Sequence, residues 1–178
     1  WIEGVRVVRS PVLLRISKGV ISPNFGRLAT GLVKDTDVIH LHLPQFDAAG
    51  VALRGRIFGK PSVITYHCDL QMPKGLFNTI VNQVVHITNH LAAIFTNQII
   101  TYTRDYADHS PYLKHYLNKT RIIQPPVVLP MTQKGAKEAF AEQHNLKNLG
   151  PMIGLAARLA TEKGVEVLLD ALPGILKK

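Results

Sequence analysis

The chain has 178 residues, of which 46% are hydrophobic and 19% charged, so it can form one folded domain and part of another, and no segment has the composition of a disordered region. Its formal net charge of +9 favours an anionic partner, but its Lys and Arg residues are scattered rather than clustered with aromatic residues, which argues against nucleic acid. Cys68 is the single cysteine, which excludes an intrachain disulfide framework and a multi-thiolate metal site, and no apolar run reaches the roughly 20 residues that a membrane span needs.

The first part of the chain predicts two strands and a helix. Residues 5–8 alternate in hydrophobicity and predict a strand, which leads into an extended loop over residues 12–22. A helix is predicted over residues 23–33. Residues 37–42 form a run rich in β-branched side chains that Pro44 closes, a pattern typical of a buried parallel strand.

The middle of the chain predicts a strand between two helices. A helix should end at Phe58, and residues 62–67 predict a strand with a polar group at its end, where such sheets place active-site residues. Residues 74–97 predict the longest helix, because apolar residues recur at spacings of three and four, at Leu76, Ile80, Val84, Ile87 and Leu91. We interpret it as a core helix with a polar exposed side. The alternative is a membrane-binding helix, although such helices usually carry Lys or Arg on the polar side.

The elements that follow are shorter. Residues 98–102 predict a strand, and Thr103 can cap the next helix, which we expect to continue over residues 112–117. Residues 121–123 predict a last short strand. The prolines of residues 125–130 then prevent sheet pairing and predict a linker.

Beyond this linker the alternation of helix and strand resumes. Residues 132–144 predict a helix, and residues 152–156 predict a strand that feeds a helix from about Lys163. Alternation along the whole chain predicts an α/β fold with a doubly wound parallel sheet. We assign residues 1–145 to a first domain, and residues 146–178 to a linker with the first strand and helix of a second domain.

The turn between the last predicted strand and helix carries two cations. Arg158 follows the strand, and Lys163 lies five residues later at the start of a helix, whose free N–H groups favour an anion. Arg offers a rigid fork of donors and Lys a mobile charge, so the pair suits a diphosphate. The alternative is a solvated turn, because Lys and Arg are common on surfaces.

Three segments, in order along the chain, resemble one enzyme family. Residues 154–164, Gly-Leu-Ala-Ala-Arg-Leu-Ala-Thr-Glu-Lys-Gly, are similar to the Gly-Arg-Leu-x-x-Glu-Lys-Gly signature of family 4 glycosyltransferases, which are retaining enzymes with the GT-B fold of two facing Rossmann-like domains. Residues 37–44 resemble the family's Asp-Val-Ile-His-x-His-x-Pro strand, and residues 61–69 its Pro-x-Val-x-Thr-x-His-x-Asp segment. Ala157 stands where the family usually has Gly, which affects the tightness of the turn and leaves both cations in place.

The resemblance implies a site in the cleft between two Rossmann-like domains. In the family, the Arg and Lys of the signature hold the diphosphate of the nucleotide-sugar donor, and these roles carry over to Arg158 and Lys163. The family's cleft His, near the transferred sugar, corresponds to His67, which would make a polar contact rather than relay protons. A structural strand-end His is the alternative. The resemblance implies no metal and no cofactor, since the nucleotide-sugar is a substrate.

Further polar residues near these segments are candidates for the acceptor side. His42 and Gln45 follow the first motif strand, and Asp69 follows His67 by two residues. Asp69 could orient His67 or an acceptor hydroxyl, or it could cap the loop before the next helix. His40 and His42 share one face of a strand but lack a third ligand, so we predict no metal site there.

The resemblance therefore implies that the intact protein is a glycosyltransferase that moves a sugar from a nucleotide-diphosphate sugar to an acceptor hydroxyl with retention, in polysaccharide, lipopolysaccharide or glycolipid synthesis. The expected partners are the donor, a saccharide or lipid-linked acceptor and an acidic membrane surface, and the expected location is the cytoplasm or the inner face of the membrane. The alternatives are a sugar-nucleotide epimerase, for which the cleft lacks acid-base carboxylates, a basic module that binds lipid or nucleic acid without catalysis, and a non-catalytic transferase-like protein.

Both ends of the chain have the character of cuts, since it starts without Met and ends in a helical pattern without a stop signal. We expect a larger parent protein that contains the family's glycine-rich loop and Glu-rich segment. The 178 residues alone should then lack transferase activity and bind nucleotide-sugar weakly, and turnover by the isolated chain would contradict this expectation.

Overall fold

The computed structural model describes most of the chain, namely residues 1–16, 19–70, 75–128, 131, 133–146, 153–160 and 163–176. Contacts divide the chain into two compact units, Trp1–Val127 and Val128–Lys178. The division falls earlier than the predicted boundary between residues 145 and 146. Sheet pairing in the first unit ends at Ile122, before the prolyl stretch, so the helix predicted over residues 132–144 belongs to the second unit.

The described residues form short strands and helices that alternate along the first unit. The strands are β1 (Leu14–Ile16), β2 (Gly19–Ile21), β3 (Ile39–Leu43), β4 (Ser62–Tyr66), β5 (Gln98–Thr101) and β6 (Thr120–Ile122). The helices are α1 (Phe25–Lys34), α2 (Ala48–Ile57), α3 (Leu76–Phe95), α4 (Arg104–His109), α5 (Ala136–Gln143) and α6 (Val165–Ile175), and two 3-10 turns cover Leu113–His115 and Leu117–Lys119.

A four-stranded parallel sheet in the order β3-β4-β5-β6 forms the centre of the first unit. His42 of β3 lies beside Thr65 of β4, which in turn lies beside Ile100 of β5. Parallel neighbours require a crossover connection, and α2, α3 and α4 supply the three crossovers in turn. This arrangement confirms the predicted α/β class and parallel sheet, and it is Rossmann-like.

Small residues bring the helices close to one face of the sheet. The sheet contributes the fully buried side chains of Leu43, Ile64, Tyr66 and Ile99. Opposite them lie four alanines with no exposed surface, Ala48 and Ala52 of α2 and Ala92 and Ala93 of α3. Because alanine adds only a methyl group to the backbone, α2 and α3 can pack against each other and against the sheet.

Gly55 is the closest approach of α2 to the sheet. A Cβ atom at this position would lie 2.7 Å from Cδ1 of Ile39 and 3.3 Å from the backbone oxygen of Lys60. We predict that Gly55→Ala lowers the free energy of unfolding by about 1–3 kcal/mol, because Ile39 must move within a packed core. Urea denaturation followed by circular dichroism measures this change.

Gly31 of α1 is the matched control, because a Cβ atom there would meet nothing within 4 Å. Gly31→Ala should leave stability unchanged or raise it by about 0.5–1 kcal/mol, the usual gain from alanine in a helix interior. Equal effects of the two substitutions would show that the close approach at Gly55 does not limit packing.

The face that α3 buries is the opposite of the one expected. The helix predicted over residues 74–97 is confirmed over Leu76–Phe95, and residue 74 lies outside the described residues. Its apolar stripe is exposed, at Leu76, Phe77, Ile80, Val84, Ile87, Leu91 and Ile94. The buried residues are Val85, Asn89, Ala92 and Ala93. The interpretation of this stripe as core-facing was therefore wrong, because close packing on α2 selects the narrow alanine side of the helix. No helix within the described ranges has both the length and the hydropathy to cross a bilayer.

The start of the chain also differs from the expectation. Residues 5–8 form no strand, and among the residues that the structure describes they take part only in an isolated bridge between Ile2 and Val5. The stretch predicted as an extended loop contains β1 and β2, an antiparallel pair in which Arg15 lies opposite Val20. The hydrogen bonds between the two strands determine the structure of this stretch. The short apolar runs of the sequence did not indicate this pairing.

Two later predictions need correction as well. Residues 112–117 do not continue α4, because Oγ of Ser110 accepts hydrogen bonds from the N–H groups of Tyr112 and Leu113 and the chain tightens into 3-10 turns. In the second unit, residues 153–160 form no strand, and residue 152 lies outside the described residues. The helix begins at Val165 rather than at Lys163.

Candidate functional site

Polar side chains from three adjacent strands meet at the carboxyl edge of the parallel sheet. His42 lies near the end of β3, His67 directly follows β4, and Tyr102 directly follows β5. The N–H group of His67 donates to the carbonyl of Leu43 at 3.0 Å, which extends the pairing of β3 and β4 by one residue. Successive strand residues alternate between faces, so these side chains share the face opposite the helix-packed core.

His67 lies between His42 and Tyr102 in a continuous hydrogen-bonded chain. Nε2 of His67 is 2.9 Å from Nδ1 of His42, and Nδ1 of His67 is 2.5 Å from the hydroxyl of Tyr102. The rings of His42 and His67 are stacked, with centroids 5.1 Å apart and planes 15° from parallel. Both ring nitrogens of His67 are therefore engaged, which fixes the orientation of the ring while it remains exposed.

The chain of hydrogen bonds also constrains where protons can lie. If the hydroxyl of Tyr102 donates to Nδ1 of His67, the proton of neutral His67 lies on Nε2 and is donated to Nδ1 of His42. A substrate hydroxyl that bonds to Nε2 of His67 must then displace His42.

His40 packs against the ring of His42 in this cluster. Its Nε2 is 2.7 Å from Oγ1 of Thr65, and its ring stacks on that of His42 with centroids 4.6 Å apart. The pKa of His40 lies below its usual value, first because of partial burial and then because of the neighbouring His42 and His67. His40 therefore favours the neutral form and acts as a packed neighbour of the site.

Asp69 anchors the loop that carries His67. Its carboxylate accepts hydrogen bonds from the hydroxyls of Tyr66 at 3.0 Å, Tyr106 at 2.8 Å and Ser110 at 2.9 Å. Burial and the nearby Asp69 raise the pKa of both tyrosines, so they remain hydrogen-bond donors. The carboxylate thus ties the end of β4 to α4 and to Ser110, the residue that follows α4, and among the described residues it makes no hydrogen bond to His67. The predicted cap of the loop before α3 falls on residues 71–74, which lie outside the described residues.

Gln45 lies just beyond β3, where the chain turns into α2. The residue is exposed, and its carbonyl accepts a hydrogen bond from the N–H of Ala48 at 3.4 Å. The structure therefore brings His42 and His67 into contact, has Gln45 at the same edge of the sheet, and bonds Asp69 to the hydroxyls of Tyr66, Tyr106 and Ser110.

Arg158 and Lys163 belong to the second unit. The N–H of Lys163 donates to the carbonyl of Ala160 at 2.8 Å, which turns the chain toward α6. Gly164, at φ 64°, then forms the left-handed residue before the helix. A shallow hollow of about 280 Å³ lies at this turn and is lined by Leu159, Ala160, Val165, Glu166 and Leu169. Residues 161 and 162, which lie between Arg158 and Lys163 in the signature segment, lie outside the described residues.

The second unit offers these groups little packing support. Among its described side chains none is buried, including those of α5 and α6. The side chains of Arg158 and Lys163 are both exposed.

Sequence reasoning missed Tyr102. The available signal was its position, since it is the last residue of a predicted parallel strand, as His67 is, and the carboxyl ends of such strands meet at one edge. Within the described ranges no group of three or more His, Cys, Asp or Glu side chains could hold a metal ion. Comparison with known proteins found no matching protein-family model and no matching curated protein.

We predict that Tyr102→Phe changes the proton distribution of His67. Removal of the hydroxyl leaves Nδ1 of His67 without its partner at 2.5 Å, so the two neutral tautomers should become more equally populated. Nitrogen chemical shifts of the imidazole rings, measured by NMR at neutral pH, report this population directly.

Tyr116→Phe provides the matched control. The Tyr116 hydroxyl lies 2.8 Å from Nδ1 of a different histidine, His90, so this substitution should shift the resonances of His90 and leave those of His67 unchanged. Unchanged His67 resonances in Tyr102→Phe would show that this hydroxyl does not determine the tautomer.

Proposed function

We propose that the chain contributes the acceptor side and the donor-diphosphate turn of a retaining glycosyltransferase with the GT-B fold, similar to family 4. The observation that most supports this function is the pair His42 and His67 at the carboxyl edge of a parallel sheet, the usual binding edge of α/β enzymes. His67 is exposed yet held at both ring nitrogens, as a residue that positions a sugar hydroxyl needs to be.

In the proposed reaction, an acceptor hydroxyl attacks the anomeric carbon of the donor sugar as the bond to the nucleoside diphosphate breaks, with retention of configuration. Negative charge then develops on the departing diphosphate. Arg158 and Lys163 neutralise this charge, and their position just before α6 adds the partial positive charge of a helix N-terminus. No metal or cofactor enters the proposed reaction.

His67 contributes a polar contact to the transferred sugar. The hydroxyl that it binds competes with His42 for Nε2, while the bond from Tyr102 to Nδ1 keeps the ring in place. His67 and the cation pair would each bind a different group, a sugar and a diphosphate, and each contact can be tested by binding alone.

We predict that the chain binds nucleoside diphosphates through Lys163. Titration calorimetry with UDP, GDP and their sugar conjugates should show at least about tenfold weaker binding of both ligand types to Lys163→Ala, because a charge-assisted contact to phosphate is lost. Lys137→Ala, which removes an exposed lysine of α5, serves as the control and should bind like the unmodified chain. His67→Ala should weaken binding of the nucleotide-sugar but not of the free diphosphate.

Two results would contradict the proposal. One is no saturable binding of any nucleoside diphosphate or nucleotide-sugar at millimolar concentration. The other is an equal loss of binding in Lys163→Ala and Lys137→Ala, which would indicate attraction by net charge rather than a specific site.

The proposed enzyme also contacts an acidic membrane surface at the cytoplasmic face. Support comes from the exposed apolar stripe of α3, in which Ile87 is 59% exposed, together with the net charge of +9. A stripe of this kind can insert into the acyl boundary of a bilayer, while basic residues elsewhere on the chain are attracted to anionic headgroups. A lipid-linked acceptor would be reached from such a surface.

We predict that Ile87→Asp weakens binding to anionic phospholipid vesicles by about tenfold, because burial of one such side chain contributes about 1.5–3 kcal/mol. Vesicle co-sedimentation measures the bound fraction. Val128→Asp, which changes another exposed apolar residue outside α3, should have a smaller effect. Equal binding of Ile87→Asp and the unmodified chain would exclude α3 as the contact.

A further inference from the structure

An open pocket of about 280 Å³ lies between the beginnings of α1 and α2. It is lined by Ser22, Phe25 and Gly26 before and within α1, and by Phe46, Asp47 and Arg54 before and within α2. The volume is close to the lower end of the range of small-ligand sites, which start at about 300 Å³. Phe46 lies four residues after His42, so the pocket begins at the strand end that carries the histidine cluster.

Arg54 is fixed in this pocket with one nitrogen available. Its Nε donates to Oγ1 of Thr30 at 2.8 Å, and its Nη1 donates to the carbonyl of Gly50 at 2.7 Å. Its Nη2 lies beside Gly26, where a Cβ atom would come within 3.1 Å. Within the described part of the chain, no hydrogen bond occupies Nη2. The hydrogen bonds to Thr30 and Gly50 hold the guanidinium in place and leave its Nη2 as a donor at the pocket wall.

Asp47 provides an acceptor in the same pocket. Its side chain makes no capping bond to α2, and within the described ranges it forms neither a hydrogen bond nor an ion pair with Arg54 or any other residue. An anionic ligand would be repelled by Asp47 and a cationic ligand by Arg54. A neutral ligand with hydroxyl groups can use both, donating to the carboxylate and accepting from the guanidinium.

Two phenylalanines line the pocket, together with a serine and two glycines. Phe46 is 43% exposed and Phe25 is half-buried, so the pocket presents apolar ring surface beside the two charged groups. A pyranose ring has the matching chemistry, since its C–H faces are apolar and its hydroxyls radiate from the rim. Nucleotides and phosphates match less well, because the carboxylate of Asp47 opposes their charge.

We propose that this pocket binds a neutral saccharide ring, with Phe46 against one face of the sugar and with Asp47 and Arg54 bonded to its hydroxyls. The saccharide is assigned as the acceptor, and this assignment rests on the proposed transferase function, whereas the binding itself does not. The pocket then determines the acceptor class, a sugar without a charged group at the bound ring.

Saturation-transfer NMR on the full chain tests the pocket, with methyl glycosides of glucose, galactose, mannose and N-acetylglucosamine as probes. At least one glycoside should bind saturably, and Phe46→Ala should abolish the signal. Asp47→Asn preserves the shape of the pocket and should weaken binding about tenfold, because a hydrogen bond to a charged group is lost. Phe140→Ala, at an exposed phenylalanine of α5, is the matched control and should bind normally.

Three results would contradict saccharide binding in this pocket. The first is no saturable binding of any glycoside, and the second is equal binding of Phe46→Ala and the unmodified chain in samples with the same circular dichroism. The third is tighter binding of glucose 6-phosphate than of the neutral glycosides. Calorimetry with nucleotide-sugar on the same samples separates the two proposals. Donor binding without glycoside binding would contradict only the saccharide site. Glycoside binding without donor binding would contradict only the proposed transferase function.

Discussion

The contact between the small residues of α2 and α3 and one face of the parallel sheet determines where the other features lie. Ala52 and Ala93 have no exposed surface, and a Cβ atom at Gly55 would lie 2.7 Å from Cδ1 of Ile39, so α2 packs closely against both the sheet and α3. That contact occupies the face of Ile64 and Tyr66. By strand alternation the histidines lie on the opposite face, and the apolar stripe of α3 is turned outward.

The polar edge depends on a second constraint, the anchoring of the loops that follow the strands. Asp69 joins three hydroxyls from β4, α4 and the residue after α4, and it thereby holds the loop that begins at His67. His67 is in turn held by its neighbours His42 and Tyr102. Asp69, which was predicted to lie on the acceptor side, thus helps to position His67 without a direct hydrogen bond to it.

The proposed functions use separate surfaces of the chain for separate parts of one reaction. The cation pair Arg158 and Lys163 would hold a diphosphate, His67 the transferred sugar, and the pocket with Phe46 and Asp47 a neutral acceptor ring. The exposed stripe of α3 would hold the enzyme at a membrane where a lipid-linked acceptor is available. Each surface differs in charge and hydropathy from the others, so each can be lost by substitution without removing the rest.

By itself, the sequence determined the α/β class, the strand that contains His42, the strand that ends just before His67, the cap at Thr103 and the approximate extent of α3, since these follow from local periodicity and capping chemistry. It did not determine which face of α3 is buried, because a helical period is equally compatible with either face until neighbours are in place. Nor could it pair Tyr102 with His67, which are 35 residues apart, or assign three hydroxyls to Asp69. Only the tertiary structure decides such contacts, because side chains distant in sequence meet through the register of neighbouring strands.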